Sequence, residues 1–167
     1  MSLINIPIFA FQGVFIGNAG ASAVLTQMAE VRTNGAALTE TMPTDYRQVL
    51  NNRIQSDNHS FNVVLSFYSD DPLTAKVSRG QSITAPYINT APGNQQYALL
   101  LVDPEGTDSF YFPSLSTIKT RGLNYDKNKP TVTEITFRCE NRNPNVTLFY
   151  QDTISSLITI MGSQSPF

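Results

Sequence analysis

The stretch FNVVLSFY, residues 61–68, decides the fold class because its apolar side chains recur at every second position. The alternation sets Phe61, Val63, Leu65 and Phe67 against Asn62, Val64, Ser66 and Tyr68. A period of two places the two sets on opposite faces of a β-strand. The sequence therefore predicts a strand with one strongly apolar face and one mixed face.

Further segments indicate strands on the C-terminal side of this one. YALLLV, Tyr97–Val102, is a continuous apolar run, typical of a strand that is covered on both faces. Asp103–Gly106 follows with the proline and glycine of a type I turn, which predicts a hairpin into Ser109–Phe112. Leu115–Thr120 favours another strand, and Thr131–Glu140 again alternates between apolar and polar residues.

One segment has the periodicity of a helix. In Asp45–Gln55 the apolar residues follow the i, i+3, i+4 spacing of an amphipathic helix, and Thr44 precedes it as a cap. Val146–Tyr150 and Ile154–Met161 are expected to be two closing strands. Several short strands with one helix predict a mainly β fold, an antiparallel β-sandwich or small barrel with one flanking α-helix. A parallel α/β architecture is disfavoured because it needs helices that alternate with strands.

The length of 167 residues favours a single β-sandwich domain over residues 1–167. Residues 1–40 are expected to form an N-terminal arm, because their periodicity is weak after Phe15, and residues 70–96 a long loop. The apolar N-terminus is not typical of a signal peptide, since no Lys or Arg precedes Arg32. No segment supplies the roughly 20 apolar residues of a membrane-spanning helix, so no membrane partner is predicted.

Charge and reactive side chains exclude most chemical functions. The chain has 11 Lys and Arg against 13 Asp and Glu, a net charge of -2, which disfavours a dedicated nucleic-acid binder. It has one histidine, His59, and one cysteine, Cys139, which excludes His-cluster chemistry and multi-cysteine metal sites. We expect His59 at the surface and Cys139 as a buried, inert thiol. No catalytic residue, metal site or cofactor is predicted, and the chain is not expected to be an enzyme.

The block from Tyr97 to Arg142 resembles the tail tube proteins of tailed bacteriophages. In that family a strand, a tight hairpin and an aromatic strand end are followed by another strand, a loop and a long closing strand. The matching elements here are Tyr97–Val102, Asp103–Gly106, Phe110–Pro113, Leu115–Thr120, Asn124–Pro130 and Val132–Cys139.

The resemblance implies a virion structural protein, a β-sandwich protomer that assembles into hexameric rings. The rings stack into a hollow tail tube, a conduit for DNA ejection that is assembled in the host cytoplasm and contacts other tail proteins such as sheath, baseplate or terminator. DNA should pass through the lumen without specific binding, and a low charge with a slight negative excess suits that requirement. The lumen-facing candidates are polar residues of predicted strands, namely Asn62, Ser66, Thr136 and Arg138.

The N-terminal region is rich in apolar residues that a single protomer cannot easily bury. Such surface usually ends in an interface with a partner, so we expect this arm to pack against an adjacent subunit of the homo-oligomer. The expected anchors are Ile6, Ile8, Phe9, Phe11, Val14 and Phe15. Deletion of residues 2–22 is expected to leave a folded domain that no longer assembles.

Two alternatives stay open beside the main tube. The first is a tail-end adaptor or baseplate component with the same fold. The second is a soluble ligand-binding β-sandwich module, which would use loop tyrosines as stacking surfaces. The tyrosines in question are Tyr87, Tyr97, Tyr111 and Tyr125.

Overall fold

The computed structural model describes residues 13–20, 23–28, 31–44, 46–49, 52–55, 58–68, 72–89, 91–103, 105, 107–121, 132–141 and 146–167. At positions 31–36, 46–49, 52–55, 68, 121 and 132 the description covers the backbone alone. The strands are β1 (Gly13–Asn18), β2 (Thr26–Gln27), β3 (Val31–Thr41), β4 (Tyr46–Val49), β5 (Asn52–Gln55), β6 (His59–Tyr68), β7 (Gln96–Val102), β8 (Ser109–Arg121), β9 (Val132–Asn141) and β10 (Tyr150–Asp152). The helices are α1 (Pro72–Ser78), α2 (Ile154–Met161) and a 3₁₀ turn, Gly162–Gln164.

Eight of the described strands form one antiparallel sheet in the order β2-β1-β7-β8-β9-β6-β3, with β10 paired to β8. Strand β8 is the centre of this sheet. Tyr111 pairs with Leu100 of β7 and with Tyr150 of β10, so β10 lies on the side of β8 opposite β7. Strand β9 pairs with the second half of β8, from Ser116 to Arg121. The first half of β8 thus lies between β7 and β10. Further along β8, the neighbouring strand on the β10 side is β9.

Two bulges bend β8. The strand carries one extra residue relative to β7 between Phe112 and Leu115. It carries another relative to β9 between Thr117 and Lys119, at Ile118. An extra residue interrupts the alternation of faces and increases the local bend and twist of a strand. Phe112 and Leu115 therefore both face the core although they are three positions apart.

The apolar residues on one face of the sheet form an inner core. All four predicted inward residues of β6 are buried there, together with residues of β1, β7, β8 and β9. Phe61 of β6 lies 5.1 Å from Phe112 of β8, measured between ring centroids, and Tyr97 of β7 lies 6.4 Å from Phe137 of β9. Each pair joins strands that are not neighbours in the sheet. The sheet is therefore strongly curved around this core.

Helix α2 covers part of the opposite face and closes an outer core. Leu157 and Met161, one helical turn apart, pack against Ala98 and Leu100 of β7 and Tyr111 of β8. Strand β7 is thus buried from Tyr97 to Val102, as its continuous apolar run predicts. The mainly β fold with a flanking helix is confirmed, and α2 is that helix.

The position of the flanking helix predicted from the sequence is wrong. Residues 46–49 and 52–55 instead form the antiparallel strands β4 and β5, paired from Tyr46 with Gln55 to Val49 with Asn52. Tyrosine and β-branched residues at Tyr46, Val49 and Ile54 favour strands, and this preference outweighs the loose helical spacing.

The strand predicted at Ile154–Met161 is instead helix α2. Thr153 caps the helix by accepting a hydrogen bond from the Ser156 backbone N–H at 3.4 Å. Ile154, Leu157, Ile158 and Met161 then fall on one side at helical spacing. The stretch expected as a long loop over 70–96 also contains a helix, α1. Its first residue is Pro72, and proline fits there because the first N–H of a helix has no partner within the helix.

Candidate assembly surfaces

The four lumen-facing candidates lie on one face of the sheet, which we call the polar face. Asn62 of β6 pairs directly with Arg138 of β9, Thr136 lies two residues before Arg138 and opposite Val64, and Ser66 lies opposite Glu134. Directly opposed residues of an antiparallel pair share a face. The side chains of all four are half-buried, while their strand neighbours on the other face are in the inner core.

The polar face extends over both flanking strands. Thr39 of β3 pairs with Asn62, and on the other side Ser116 of β8 pairs with Arg138 and Lys119 with Thr136. Ala37, Thr39 and Lys119 are exposed. The register therefore builds a four-stranded surface, β3-β6-β9-β8, of hydroxyl, amide and small side chains together with the charged residues Glu134, Arg138 and Lys119.

The guanidinium of Arg138 is paired on this surface. Its Nη2 donates to Oε2 of Glu140 at 3.1 Å, and its Nε donates to the same oxygen at 3.3 Å. The Oδ1 atom of Asn62 is buried and accepts no hydrogen bond from the described residues. The positive charge that the polar face carries at Arg138 is thus balanced locally.

Strand β3 ends the sheet beside the polar face. Among the described strands it pairs with β6 alone, so one of its sides carries backbone N–H and C=O groups that no described strand satisfies. Its C-terminal end is held by Glu40, whose Oε1 lies 2.7 Å from Nε2 of His59. A long edge strand of this kind is a template for pairing with another chain.

The six expected interface anchors differ in where the structure places them. Ile6, Ile8, Phe9 and Phe11 lie outside the described residues. Val14 is 1% exposed and belongs to the inner core. Phe15 is half-buried against the outer core and meets Phe167 edge-on, with 5.4 Å between ring centroids. Because β1 pairs with β7 over all six of its residues, residues 13–18 are part of the sheet rather than of an arm.

A further surface, the loop of residues 79–95, has no periodicity that could reveal it from the sequence. Its two ends are joined, since the Gly93 N–H donates to the Arg79 carbonyl at 2.8 Å and the Gln95 N–H donates to the Gly80 carbonyl at 2.9 Å. Backbone atoms of Gly80 and Gly93 approach so closely that a Cβ on Gly93 would lie 2.4 Å from the Gly80 oxygen. Glycine is required at this crossing.

The buried side chain of Gln81 fills the inside of the loop. Its Nε2 donates to the carbonyls of Asn89 and Ala91, and its Oε1 accepts from the Asn89 N–H at 3.1 Å. The phenol of Tyr97, in the inner core, donates to the Gln81 carbonyl. Lys76 of α1 donates to the Ala85 carbonyl at 2.7 Å. The loop is therefore held in one conformation from the inside and from the core.

The tip of this loop is apolar and exposed. Tyr87 is 70% exposed and Ile88 is 39% exposed. No charged residue occurs between Arg79 and Asp103. A rigid, uncharged tip with an exposed tyrosine has the composition of an interface anchor.

An open groove of about 460 Å³ lies where β8 and β9 meet the segment before β10. Its apolar lining comes from Pro113, from the bulge residue Ile118 and from Val146, of which the last two are 52% and 43% exposed. Ser114 and Thr147 add hydroxyl groups to its wall. The groove therefore combines apolar side chains with hydroxyl groups, and the paired charges of Arg138 and Glu140 also line it.

The single cysteine and the single histidine are both removed from full solvent exposure. Cys139 is buried, and burial raises the pKa of its thiol to about 11, as expected for an inert cysteine. His59 is half-buried and bonded to Glu40. Within the described ranges, no three His, Cys, Asp or Glu side chains are grouped so that they could hold a metal ion. No helix in the same ranges combines the length and apolar character that crossing a membrane requires.

The tyrosines proposed as stacking surfaces do not form one platform. Tyr97 is fully buried and Tyr111 is 5% exposed, with its hydroxyl donating to Oε1 of Gln164 at 3.0 Å. Burial raises the pKa of Tyr111, and the neighbouring Tyr150 raises it further. Tyr87 is exposed in the loop, and Tyr125 lies outside the described residues. The structure thus removes Tyr97 and Tyr111 from any ligand-stacking role.

Comparison with known proteins gives likenesses of fold at low identity. No protein-family model matches the chain, and no curated protein matches it. A chain of the PVC sheath-tube complex, an extracellular contractile injection system in the extended state, is 12% identical, with a TM-score of 0.46 over 92% of this chain and 99% of that chain. The tube terminating cap of the anti-feeding prophage is 13% identical, with a TM-score of 0.42 over 89% and 91%.

A third similar structure is a chain of the PVC sheath/tube terminator in the extended state. It is 13% identical, with a TM-score of 0.39 over 87% of this chain and 96% of that chain. Because every TM-score is below 0.5, these three likenesses decide neither the topology nor the function of this chain.

Proposed function

We propose that this chain is a structural subunit of a phage-tail-like tube, which forms hexameric rings that stack into a hollow conduit for DNA. The observation that carries the proposal is the register between β6 and β9. It gathers Asn62, Ser66, Thr136 and Arg138 on one half-exposed polar face beside the open edge of β3. A ring needs such a surface for its lumen and such an edge for its neighbours.

The chemistry of the polar face suits a lumen that does not retain DNA. Phosphate contacts by unpaired Lys and Arg dominate the affinity of proteins for DNA. Arg138 is instead bonded to Glu140, and the register also places Glu134 and the exposed Lys119 on this face, among hydroxyl, amide and small side chains. DNA would therefore meet a polar wall that carries acidic as well as basic side chains.

The open edge of β3 supplies the ring contact in this proposal. An edge strand can accept a strand of an adjacent subunit, so that the sheets of neighbouring protomers become continuous. A contact between two different surfaces of identical subunits closes into a ring when the rotation between them is right. The segment with Ile6, Ile8, Phe9 and Phe11 would pack against the next subunit, and Phe15 would lie at its base. Val14 has no part in this contact because it is in the inner core.

The wider setting follows from the same proposal. The assembled tube belongs to the tail of a virion or tail-like particle, is built in the host cytoplasm and contacts sheath, baseplate or terminator proteins. An end adaptor of the same fold would form a single ring, whereas a main tube subunit would form stacked rings. The lengths of the particles formed by the purified protein distinguish the two.

A pair of proline variants in β3 tests the ring contact. Successive backbone N–H groups of a strand point to opposite sides, so one of Thr39 and Glu40 donates towards β6 and the other towards the open edge. We expect Thr39→Pro and Glu40→Pro to differ: one should lose thermal stability, and the other should stay folded but fail to assemble. Thr39→Ala and Glu40→Ala are the matched controls. Assembly that survives both proline changes would refute pairing through β3.

A further inference from the structure

We infer that the tip of the 79–95 loop, Tyr87 and Ile88, docks into the groove at Ile118 and Val146 of a second copy of this chain. The inference rests on the proposed self-assembly and names a contact within it. It starts from two features of one protomer, an exposed loop tip with two apolar side chains and an open groove lined in part by exposed apolar side chains.

Hydrogen bonds inside the 79–95 loop hold its backbone while its tip stays exposed. The joined ends, the buried Gln81 side chain and the Tyr97 hydroxyl fix its backbone, so little conformational freedom remains to be lost on binding. The same scaffold leaves the tip in solvent, since Tyr87 is 70% exposed. A rigid scaffold around an exposed tyrosine favours association with a surface outside the protomer.

The groove fits that occupant in chemistry and size. Ile118 and Val146 offer apolar contacts to an aromatic ring, and the hydroxyl oxygens of Ser114 and Thr147 can accept a hydrogen bond from the tyrosine O–H. The ion pair at the groove, Arg138 with Glu140, is internally matched, so an uncharged tip leaves both of its charges paired. A volume of about 460 Å³ accommodates two side chains of this size.

The protomer's own loop leaves its own groove open. The clasp at Gly80 and Gly93 fixes the direction of the loop, and the tip stays in solvent. The contact is therefore heterologous, with the loop of each copy in the groove of the next. Such contacts propagate from copy to copy, which a ring or a stack requires.

Complementation between two charged variants tests this contact. We expect Tyr87→Glu alone and Ile118→Lys alone to block assembly, because each places a charge against an apolar partner surface. Mixed in equal amounts, the two should assemble again. In an alternating oligomer every introduced carboxylate would meet an introduced ammonium group, and every native tip would meet a native groove. Ile160→Glu, at an exposed apolar residue of α2, is the matched control and should assemble as the native chain does.

Disulfide trapping gives an independent readout. Tyr87→Cys and Ile118→Cys are prepared as separate proteins in a Cys139→Ala background, which removes the thiol that lines the groove. Mild oxidation should give a dimer in the mixture and none with either protein alone. A dimer of Tyr87→Cys with itself would indicate a loop-to-loop contact and overturn the inference. So would trapping of Ile118→Cys by Ile8→Cys, which would place the N-terminal segment in the groove.

Different results would overturn the proposed loop contact and the proposed function. If the native chain forms rings but the variants neither complement nor cross-link, this contact is wrong and the proposed function stands. If the native chain stays monomeric under every condition in which the variants are compared, both are overturned.

Discussion

The hydroxyl of Thr117 on β8 donates to the carbonyl of Val77 at the end of α1, with 3.0 Å between the oxygens. Thr120 does the same for the Ser78 carbonyl at 2.8 Å. The bulge at Ile118 is what lets two threonines three positions apart face the same side of β8. The sheet thus bonds two carbonyls at the end of α1, and the Val77 carbonyl accepts a second hydrogen bond from the Gly80 N–H at 3.1 Å.

Replacing these threonines should weaken the fold without changing its shape. We expect Thr117→Val and Thr120→Val each to lower the free energy of unfolding by about 1 kcal/mol, the usual net value of one hydrogen bond. Urea unfolding followed by circular dichroism measures the change. Thr147→Val, at an exposed position, is the matched control. Losses no larger than that of the control would contradict a supporting role for these bonds.

Gly93 should tolerate no side chain. A Cβ at this position would lie 2.4 Å from the Gly80 oxygen, so Gly93→Ala must force apart the two ends of the loop. Overpacking of this kind typically costs about 1–3 kcal/mol. Differential scanning calorimetry should show a lower Tm, and light scattering should show weaker assembly. Ala91→Ser, which adds one atom to an exposed residue of the same loop, should change neither.

The thiol of Cys139 should be unreactive in the folded protein. Burial raises its pKa to about 11, so at pH 8 almost none is thiolate. We expect maleimide labelling to be slow in buffer and fast in denaturant. Because the pKa is raised by folding, the thiol's contribution to stability is fully present below pH 9 and is lost as the pH rises towards 11. The stability difference between the native chain and Cys139→Ala should shrink over that interval, and a constant difference would contradict a buried neutral thiol.

Truncation separates the N-terminal segment from the sheet. The deletion of residues 2–22 would remove β1, whose Val14 and Ile16 are in the inner core, so it cannot test an arm. Deletion of residues 2–11 leaves β1 intact. We expect this variant to unfold cooperatively, as seen by circular dichroism, and to assemble less than the native chain in light scattering. Unchanged assembly would show that Ile6, Ile8, Phe9 and Phe11 are not anchors.

Strong period-two patterns predicted the centre of the fold. In Phe61–Tyr68 and Thr131–Glu140 the alternation is uninterrupted, so the sequence determines which side chains reach the core and which form the polar face. The grouping of Asn62, Ser66, Thr136 and Arg138 followed from that alternation. The sequence does not predict the register between β6 and β9, which brings Asn62 opposite Arg138.

Other elements were not predictable for physical reasons. The β-branched residues of Ile154–Met161 suggested a strand, but the cap at Thr153 and the apolar face of β7 favour a helix there. Bulges such as that at Ile118 leave no periodic signal, because they depend on pairing with distant strands. The 79–95 loop is shaped by Gln81 bonding to backbone groups, which no spacing rule predicts.

The most direct measurement is electron microscopy of the purified protein carrying a gold-cluster maleimide at Thr136→Cys on the polar face. Cys139 is buried, so labelling is confined to the new thiol. We expect hollow rings or stacked rings with sixfold symmetry and gold on the inner wall. Particles of 18.4 kDa at every concentration, or rings with gold on their outer surface, would contradict it.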